Sequence, residues 1–224
     1  MANAKQAAAH KAVKAVQSGM VVGLGTGSTA YFAIEKLGEM VRNGLAVKAI
    51  GSSVATEELA KAAGISIVDF ATIEGVDLYI DGADEVDASF NLIKGGGGAL
   101  VREKIVAFNS KTFLVIVDHS KQVQTLGRFP LPVEVVPFAV NLTIKQLEKL
   151  GAKAVLRQRE GRTFVSDNGN HIIDLQFSAI ENPEELNTRI NAIPGVVESG
   201  LFAGHMVSQL LVGHADGHVE VIAP

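Results

Sequence analysis

The sequence predicts an α/β protein built from two different parts. Up to about Lys121, helical patterns alternate with short runs rich in valine and isoleucine, an alternation typical of a parallel sheet covered by helices. Three of the six prolines then fall within residues 130–137, and the order of the elements changes after them. We therefore expect a Rossmann-like parallel-sheet domain, residues 1–130 with 205–224, and a smaller ferredoxin-like α+β domain, residues 131–204.

The first part repeats the order of strand, turn and helix. Apolar residues recur at helical spacing from Phe32 to Met40, and strands are expected where β-branched residues concentrate. The expected elements are a helix over 4–17, a strand over 20–23, a helix over 28–41, a strand over 46–50, a helix over 55–63, strands over 65–68 and 77–80, a helix over 98–108 and a strand over 112–117.

The second part opens with prolines, which fix φ and favour an extended chain before them. Asn182 followed by Pro183 predicts a helix start, because asparagine caps N-terminal amides and proline fits the first helical position. The expected elements are a strand over 133–136, a helix over 138–150, a strand over 152–158, a strand over either 163–166 or 171–177, a helix from 183 and a strand over 196–202. This β-α-β-β-α-β order is that of a ferredoxin-like domain. Residues 209–222 then predict a hairpin that returns to the first domain.

Composition limits what the chain can do. With 224 residues, 47% of them hydrophobic, it can bury an ordinary core. A formal net charge of −4 argues against a nucleic-acid binder, which usually carries a basic excess on one face. The absence of cysteine excludes disulfides and thiolate chemistry. No apolar stretch reaches the roughly 20 residues of a membrane span or has the form of a signal peptide, so we expect a soluble, cytoplasmic protein without a membrane partner.

A glycine-rich loop, GTGST at residues 25–29, joins the first strand to the helix after it. A helix N-terminus with free amides and nearby hydroxyls suits a phosphate group. The loop also fits the dinucleotide pattern G-x-G-x-x-A, but the second strand ends in GSS at residues 51–53, without the acidic residue that a ribose needs. A P-loop is excluded because no Gly-Lys-Ser or Gly-Lys-Thr follows. A tight turn without ligand and a monophosphate site remain, and the monophosphate fits best.

Charged residues concentrate after the strand over 77–80. Asp81 and Asp84 fall at its carboxyl end, where open α/β sheets bind ligands. Clustered carboxylates could bind Mg²⁺. An aspartate next to a glycine can also cap a turn, and capping is the role we expect for Glu85 and Asp87.

Lys94 precedes four consecutive glycines at residues 95–98. Each glycine inside a regular element costs about 0.5 to 1 kcal/mol relative to alanine, so the run indicates a loop that a ligand approaches closely. Backbone amides beside an ammonium can stabilise negative charge that develops on a substrate oxygen. Glu103 follows in the expected helix, where a glutamate next to Lys104 is usually exposed to solvent.

These motifs together resemble ribose-5-phosphate isomerase of the type A family. The resemblance covers essentially the whole chain, and its motifs occur in the expected order. It is carried by GTGST at 25–29, DGADE at 81–85, KGGG at 94–97 with REK at 102–104, SKQV at 120–123, FPLPVEV at 129–135, DNGN at 167–170 and AIPGVV at 192–197.

The resemblance implies an aldose–ketose isomerase that interconverts D-ribose 5-phosphate and D-ribulose 5-phosphate through an enediolate, in the non-oxidative pentose phosphate pathway. It implies no metal, no organic cofactor and a homodimer. The implied catalytic residues are Glu103, Asp81, Asp84 and Lys94, and the implied substrate-binding residues are Thr26, Gly27, Ser28, Thr29, Asp81, Gly82, Ala83, Asp84, Lys94, Gly95, Gly96, Gly97 and Lys121.

Within this set the resemblance assigns separate tasks. Glu103 is the base, and an ordinary glutamate, with a pKa of about 4.3, is ionised at neutral pH. Lys94 and the amides after it hold the sugar oxygens as negative charge grows. Asp81 and Asp84 bind hydroxyls and assist ring opening or proton traffic between O1 and O2. Residues 26–29 and Lys121 anchor the phosphate, and Lys5 aligns with a family lysine near it.

Two functions of other classes remain as alternatives. A sugar-phosphate sensor needs a DNA-binding module, and a first strand at residue 20 leaves no room for a helix-turn-helix before it. A nicotinamide dehydrogenase would bind its cofactor at the first glycine loop. His205, His214 and His218 could be read as ligands, but they lie around an Asp-Gly turn signal, and together with His119 we expect them at the surface.

Overall fold

The computed structural model describes residues 2–224. The α-helices of these residues are α1 Ala2–Val13, α2 Ser28–Arg42, α3 Val54–Ala62, α4 Leu100–Phe108, α5 Val140–Glu148 and α6 Pro183–Asn191. The strands are β1 Val21–Leu24, β2 Lys48–Gly51, β3 Ser66–Ile67, β4 Val76–Asp81, β5 Glu85–Val86, β6 Leu92–Ile93, β7 Ser110–Asp118, β8 Leu131–Val135, β9 Lys153–Leu156, β10 Gln158–Arg159, β11 Arg162–Thr163, β12 His171–Gln176, β13 Val196–Ser199, β14 Leu201–Phe202, β15 Gln209–Gly213 and β16 Val219–Ile222. None of these helices is long and apolar enough to cross a membrane.

The elements form two compact units. The first holds the chain up to Ala83 with Arg102–Gln122 and His205–Pro224, and the second holds Asp84–Val101 with Val123–Gly204. The domain boundaries drawn from the sequence stay a prediction. The predicted boundaries assign residues 84–101 to the first domain, whereas in the structure these residues belong to the second compact unit.

The first unit contains a seven-stranded sheet in the order β16-β15-β7-β4-β1-β2-β3. Neighbouring strands run parallel except for β15 and β16, which form the expected C-terminal hairpin. Apolar side chains of the strands and of the helices beside them form one core, which includes Ala8, Val22, Leu37, Ile80 and Ile116. The predicted Rossmann-like α/β class is confirmed.

Three adjacent strands of this sheet carry their loops to one edge. β1, β4 and β7 are parallel neighbours, so their carboxyl ends meet there. The loop 25–27 follows β1, Asp81 ends β4, and a 3-10 turn over His119–Lys121 follows β7. This is the edge at which parallel sheets bind ligands.

The second unit contains a four-stranded antiparallel sheet in the order β13-β8-β12-β9. With α5 and α6, these strands give the predicted β-α-β-β-α-β order of a ferredoxin-like domain. Leu147 of α5 and Ile190 of α6 belong to the same buried cluster as Val133, Val135 and Ile173 of the sheet. The second predicted fold is therefore present as well.

Asn182 and Pro183 begin α6 as the sequence predicts. The Asn182 side chain accepts a hydrogen bond from the Glu185 N–H at 3.3 Å, and Pro183 is the first helical residue. The cap satisfies one of the amides that a helix start leaves without an intrahelical acceptor.

The short strands differ most from the sequence-based expectation. The strand expected over 196–202 splits at Gly200, so that β13 joins the four-stranded sheet and β14 pairs with β6 in a small sheet of order β14-β6-β5. Of the two alternatives for the third strand, 171–177 is right, and the residues before it form the hairpin of β10 and β11. Strands of two residues are too short for an alternating pattern to appear in the sequence.

Candidate active site

The loop after β1 places the start of α2 at the binding edge of the first sheet. No described side chain caps this helix, whose N-cap residue is Gly27. Its first amides are therefore available to a ligand, which is the usual basis of anion binding at a helix start. Gly25 lies against the Asp81 carboxylate, and a Cβ atom at this position would come within 2.0 Å of Oδ1. Only glycine permits this close approach.

Thr26 holds the loop in place. Its hydroxyl lies 2.8, 2.9 and 3.0 Å from the hydroxyls of Ser52, Ser53 and Thr56, and its N–H donates to Asp81 Oδ1 at 3.1 Å. Sequence reasoning proposed Thr26 for phosphate binding and missed the three hydroxyl partners. Ser52 and Ser53 stand directly after β2, so their place at the same edge could have suggested them.

Ser28 lies beside a cation. Its hydroxyl accepts a hydrogen bond from Lys5 Nζ at 2.9 Å, across 23 positions of sequence. Lys5, Gly27 and Ser28 line a cavity of about 550 Å³, whereas Thr29 is half-buried and does not line it. Of the four predicted residues of this loop, Gly27 and Ser28 therefore face the cavity together with Thr26.

Lys121 lies in the 3-10 turn after β7. Asp118 is the last residue of β7 and lies at the same edge of the sheet as the loop after β1. Burial by itself would raise the pKa of Asp118. Hydrogen bonds from the Ser120 hydroxyl and N–H, with the positive charges of Lys5 and Lys121, outweigh burial and lower this pKa below its ordinary value. Both lysines therefore lie close enough to Asp118 to stabilise its charge. Lys5 of α1, which also contacts Ser28 at the start of α2, and Lys121 after β7 thus form a positive region at this edge.

Asp81 is fully buried at the end of β4. Its Oδ1 accepts hydrogen bonds from the N–H groups of Thr26 and of Gly82, the latter at 2.7 Å, and its Oδ2 accepts one from the Tyr79 hydroxyl. Burial, followed by the negative charges of Asp81 and Glu103, raises the pKa of Tyr79 well above its ordinary value. The Tyr79 hydroxyl therefore stays protonated and acts as a hydrogen-bond donor near the carboxylates of Asp81 and Glu103.

Sequence reasoning missed Tyr79. The signal was present, because residues two apart on a strand share a face, and Tyr79 precedes Asp81 by two positions on β4. Its ring stacks on Phe113 of the neighbouring strand β7, with a distance of 4.8 Å between ring centroids.

Glu103 lies in the first turn of α4 and is 2% exposed. It shares the buried face of the helix with Leu100, Val106 and Ala107. Phe108, an apolar position of the predicted helix, is instead 80% exposed. The expectation that a glutamate next to a lysine faces solvent is wrong here, because the helix turns its carboxylate inwards.

Asp84 belongs to the second unit, where it contacts the glycine loop. Its Oδ2 accepts a hydrogen bond from the Gly96 N–H at 2.7 Å, and its own N–H donates to the Ile93 carbonyl at 2.8 Å. The Gly96 amide was expected to face a substrate oxygen and is instead directed at Asp84. Gly96 and Gly97 are exposed, and Gly95 is buried.

Lys94 is also in the second unit and is 2% exposed. Its Nζ lies 5.5 Å from the centroid of the Phe202 ring, within the range of a cation–π interaction. Its N–H donates to the Gly200 carbonyl at 2.9 Å, at the point where β13 passes into β14. The backbone before the glycine loop is thus fixed by the small sheet.

Glu85 and Asp87 accept backbone hydrogen bonds, as predicted for capping residues. Asp87 accepts from the N–H groups of Ser89 and Asn91 at 2.8 and 2.9 Å, which closes the turn between β5 and β6. Glu85 is fully buried and accepts from N–H groups far along the chain, at positions 127 and 129. Glu85 therefore caps a distant loop rather than its own turn.

The described residues contain no group of three or more histidine, aspartate or glutamate side chains able to hold a metal ion. His119, His214 and His218 lie in a row, with ring centroids 5.8 and 5.7 Å apart and interplanar angles of 9° and 29°. Rings stacked in this way do not aim their nitrogens at a common point. These three residues and His205 are exposed or half-exposed, as the sequence predicts.

Comparisons with known proteins agree on one family. Its sequence model, described as ribose 5-phosphate isomerase A (phosphoriboisomerase A), matches residues 48–217. The ribose-5-phosphate isomerase A of Gloeobacter violaceus is 51% identical over 98% of this chain and 96% of its own length. That of Picrophilus torridus is 50% identical over 96% of this chain and 95% of its own length.

Solved structures of the same family are similar to this chain over nearly its whole length. Ribose 5-phosphate isomerase A from Methanocaldococcus jannaschii superposes with a TM-score of 0.93 at 44% identity and covers 98% of each chain. A D-ribose-5-phosphate isomerase in complex with phospho-erythronic acid has a TM-score of 0.94 at 39% identity, over 98% of this chain and 97% of that one.

Proposed function

The chain belongs to the ribose-5-phosphate isomerase A family, and from this premise we propose that it interconverts D-ribose 5-phosphate and D-ribulose 5-phosphate. The observation that carries the proposal is the buried Glu103 carboxylate at the start of α4. It belongs to the same unit as the positive region formed by Lys5, Lys121 and the start of α2.

The reaction needs a base that works at two neighbouring carbons. In the open-chain sugar one proton passes from C2 to C1 and another from O2 to O1, with an enediolate between the two steps. Glu103 takes the proton from C2 and returns it to C1, a role in which general-base catalysis typically contributes about 10² to 10⁴-fold. Because Glu103 is shielded from water, the proton taken from C2 stays on its carboxyl group until it is delivered to C1.

The phosphate group binds away from the reacting carbons. Lys5 and Ser28 face the cavity at the start of α2, and Lys121 adds a second positive charge beside Asp118. A phosphate bound by these groups fixes the sugar so that C1 and C2 meet the base, because binding energy from a remote group can orient the reacting atoms.

The other predicted residues act on the sugar oxygens. Asp81 and Asp84, with the backbone of Gly82 and Ala83, bind hydroxyls and assist ring opening. Lys94 and the glycine loop at 95–97 stabilise the negative charge of the enediolate, as preorganised donors do in other enzymes. Within this loop the Gly96 N–H contributes by positioning Asp84. Tyr79 joins this set as a positioning residue, since it orients Asp81 without needing to touch the sugar.

We further propose that the enzyme works without a metal or organic cofactor, as a cytoplasmic homodimer in the non-oxidative pentose phosphate pathway. The carboxylates and the ammonium of the predicted set supply acid–base and electrostatic catalysis through groups of the chain itself.

A direct assay tests the substrate and the mechanism together. Purified protein is incubated with D-ribose 5-phosphate in EDTA, and the ketose formed is measured beside reactions with arabinose 5-phosphate and unphosphorylated ribose. We expect turnover of ribose 5-phosphate alone, unchanged by EDTA. Preference for another five-carbon sugar would contradict the substrate, and activity lost in EDTA but restored by Mg²⁺ would contradict the metal-free mechanism.

A further inference from the structure

Arg157 follows β9 in the second unit and is held by a carboxylate. Its Nε donates to Asp174 Oδ2 at 2.9 Å, and its Nη2 donates to Asp174 Oδ1. The two side chains are 13% and 22% exposed. A two-point bond of this kind fixes the plane of the guanidinium as well as its position.

The third nitrogen of this guanidinium contacts the glycine loop. Arg157 Nη1 donates to the carbonyls of Gly95 and Gly96, at 2.9 and 3.2 Å. The Gly95 carbonyl also accepts from the Gly98 N–H at 2.9 Å, which closes the loop as a turn. One cation therefore orients two consecutive peptide groups that lie about 60 positions away in the sequence.

The direction of these carbonyls determines the direction of the amides. In a planar trans peptide the C=O and the following N–H point to opposite sides, and the described chain has no cis peptide bonds. The Gly95 carbonyl points to Arg157, and the Gly96 N–H accordingly points away and meets Asp84 at 2.7 Å. The Gly96 carbonyl also points to Arg157, so the Gly97 N–H faces away from it in the same manner.

A second side chain from the same segment restrains the end of the loop. Gly98 has a φ of 86°, and a Cβ atom there would lie 2.4 Å from Cε1 and Cζ of Phe164, so the ring rests directly on this glycine. The Phe164 ring also lies near Arg157 and Arg159, whose guanidinium carbons are 5.9 and 4.6 Å from its centroid. Arg157 and Phe164 thus hold both ends of the glycine loop.

We propose that Arg157 is a positioning residue for the isomerase reaction, and this role rests on the proposed function. Asp174 orients Arg157, and Arg157 fixes the peptides at 95–97 so that Asp84 and the Gly97 N–H are in place before the substrate oxygens gain negative charge. Arg157 acts through the loop and needs no contact with the sugar. Its removal therefore weakens binding of the enediolate more than binding of the substrate.

The test compares Arg157→Lys with Arg162→Lys, the same substitution at an exposed position of the β10–β11 hairpin. Lysine keeps the charge but loses the planar group that binds Asp174 and two carbonyls at once. For R157K we expect kcat to fall roughly 10- to 100-fold, with KM changed by less than about threefold. The inhibition constant of phospho-erythronic acid should rise in parallel with the loss of kcat, and R162K should match the wild type in all three constants.

Thermal unfolding and a second variant separate positioning from loss of folding. If R157K is too unstable to assay, Asp174→Asn keeps the size of the side chain, weakens the bond to Arg157, and should show the same pattern to a smaller degree. Wild-type kcat in R157K or D174N would overturn the role of Arg157. So would a loss of kcat that the smaller folded fraction explains entirely, with the inhibition constant of phospho-erythronic acid unchanged. An inactive wild type would instead overturn the proposed function, and this role with it.

Discussion

The Tyr79 hydroxyl donates a hydrogen bond to the Asp81 carboxylate, where the central strand β4 ends. Burial, with the charges of Asp81 and Glu103, raises the pKa of Tyr79, so this donor keeps its proton through the whole working range of pH. A buried carboxylate that accepts hydrogen bonds from Tyr79, Thr26 and Gly82 has one fixed orientation. The geometry of the proposed site therefore depends on Tyr79, which lies just before the DGADE motif at 81–85.

Replacing Tyr79 by phenylalanine tests this dependence. The ring and its packing on Phe113 remain, while the hydroxyl that donates to Asp81 and also interacts with Ser52 is lost. We expect kcat to fall roughly 10- to 100-fold, because small displacements of a catalytic group are costly. Stability should fall by about 1.5 to 3 kcal/mol, as for other hydrogen bonds to charged groups. Steady-state kinetics and denaturant unfolding measure the two effects, and unchanged kcat in Y79F would show that Asp81 needs no such orientation.

Replacing Lys121 by alanine tests the phosphate region. This lysine lies near Asp118 at the end of β7 and supplies charge rather than chemistry in the proposed mechanism. We expect KM for ribose 5-phosphate to rise at least tenfold while kcat changes less, since the lost interaction is present in substrate and transition state alike.

A matched control for K121A is Lys11→Ala, which removes an exposed charge of α1. Its KM should equal that of the wild type at each salt concentration, whereas the difference between wild type and K121A should shrink as salt screens the phosphate. A kcat loss larger than the KM change in K121A would place Lys121 at the reacting atoms instead.

The stability of the first unit should depend on pH through Asp77. A hydrogen bond from the Lys111 ammonium at 2.8 Å, and one from the Val21 N–H at 2.8 Å, lower the pKa of Asp77 below its ordinary value. A carboxyl group with a lowered folded-state pKa stabilises the fold above its unfolded pKa of about 3.9, and this contribution disappears as pH falls through the folded value.

The Asp77→Asn variant isolates this contribution. The wild type should be more stable than D77N near pH 7, and the difference in unfolding free energy should shrink as pH is lowered below about 4. Urea unfolding at several pH values measures it. A difference that stays constant from neutral to acidic pH would show that packing of Asp77, and not its charge, is responsible.

The sequence predicted those parts of the molecule that depend on local pattern. The parallel strands, the loop at 25–29 and the Asp-Gly motif at 81–82 follow from periodicity and from the rule that such sheets bind ligands at their carboxyl ends. The inward direction of Glu103 could not be predicted in this way. The helix has apolar residues on two sides, and only tertiary packing decides that the side with Leu100 and Val106 is the buried one.

Contacts between residues far apart in the sequence could not be predicted from local sequence patterns either. Arg157 reaches the carbonyls of Gly95 and Gly96 across more than 60 positions, and Lys5 reaches Ser28 across 23. No periodicity connects such pairs. They arise because the order of strands in each sheet, and not the order in the chain, determines which side chains meet.

In the proposed mechanism Glu103 transfers the proton, and the decisive measurement is the kinetics of Glu103→Gln. Glutamine keeps the size of the buried side chain but cannot act as a base, and Glu58→Gln on the exposed face of α3 serves as the control. We predict that kcat for ribose 5-phosphate falls about 10² to 10⁴-fold in E103Q, with KM within about threefold of the wild type and no change in E58Q. Turnover by E103Q at the wild-type rate would show that Glu103 is not the base.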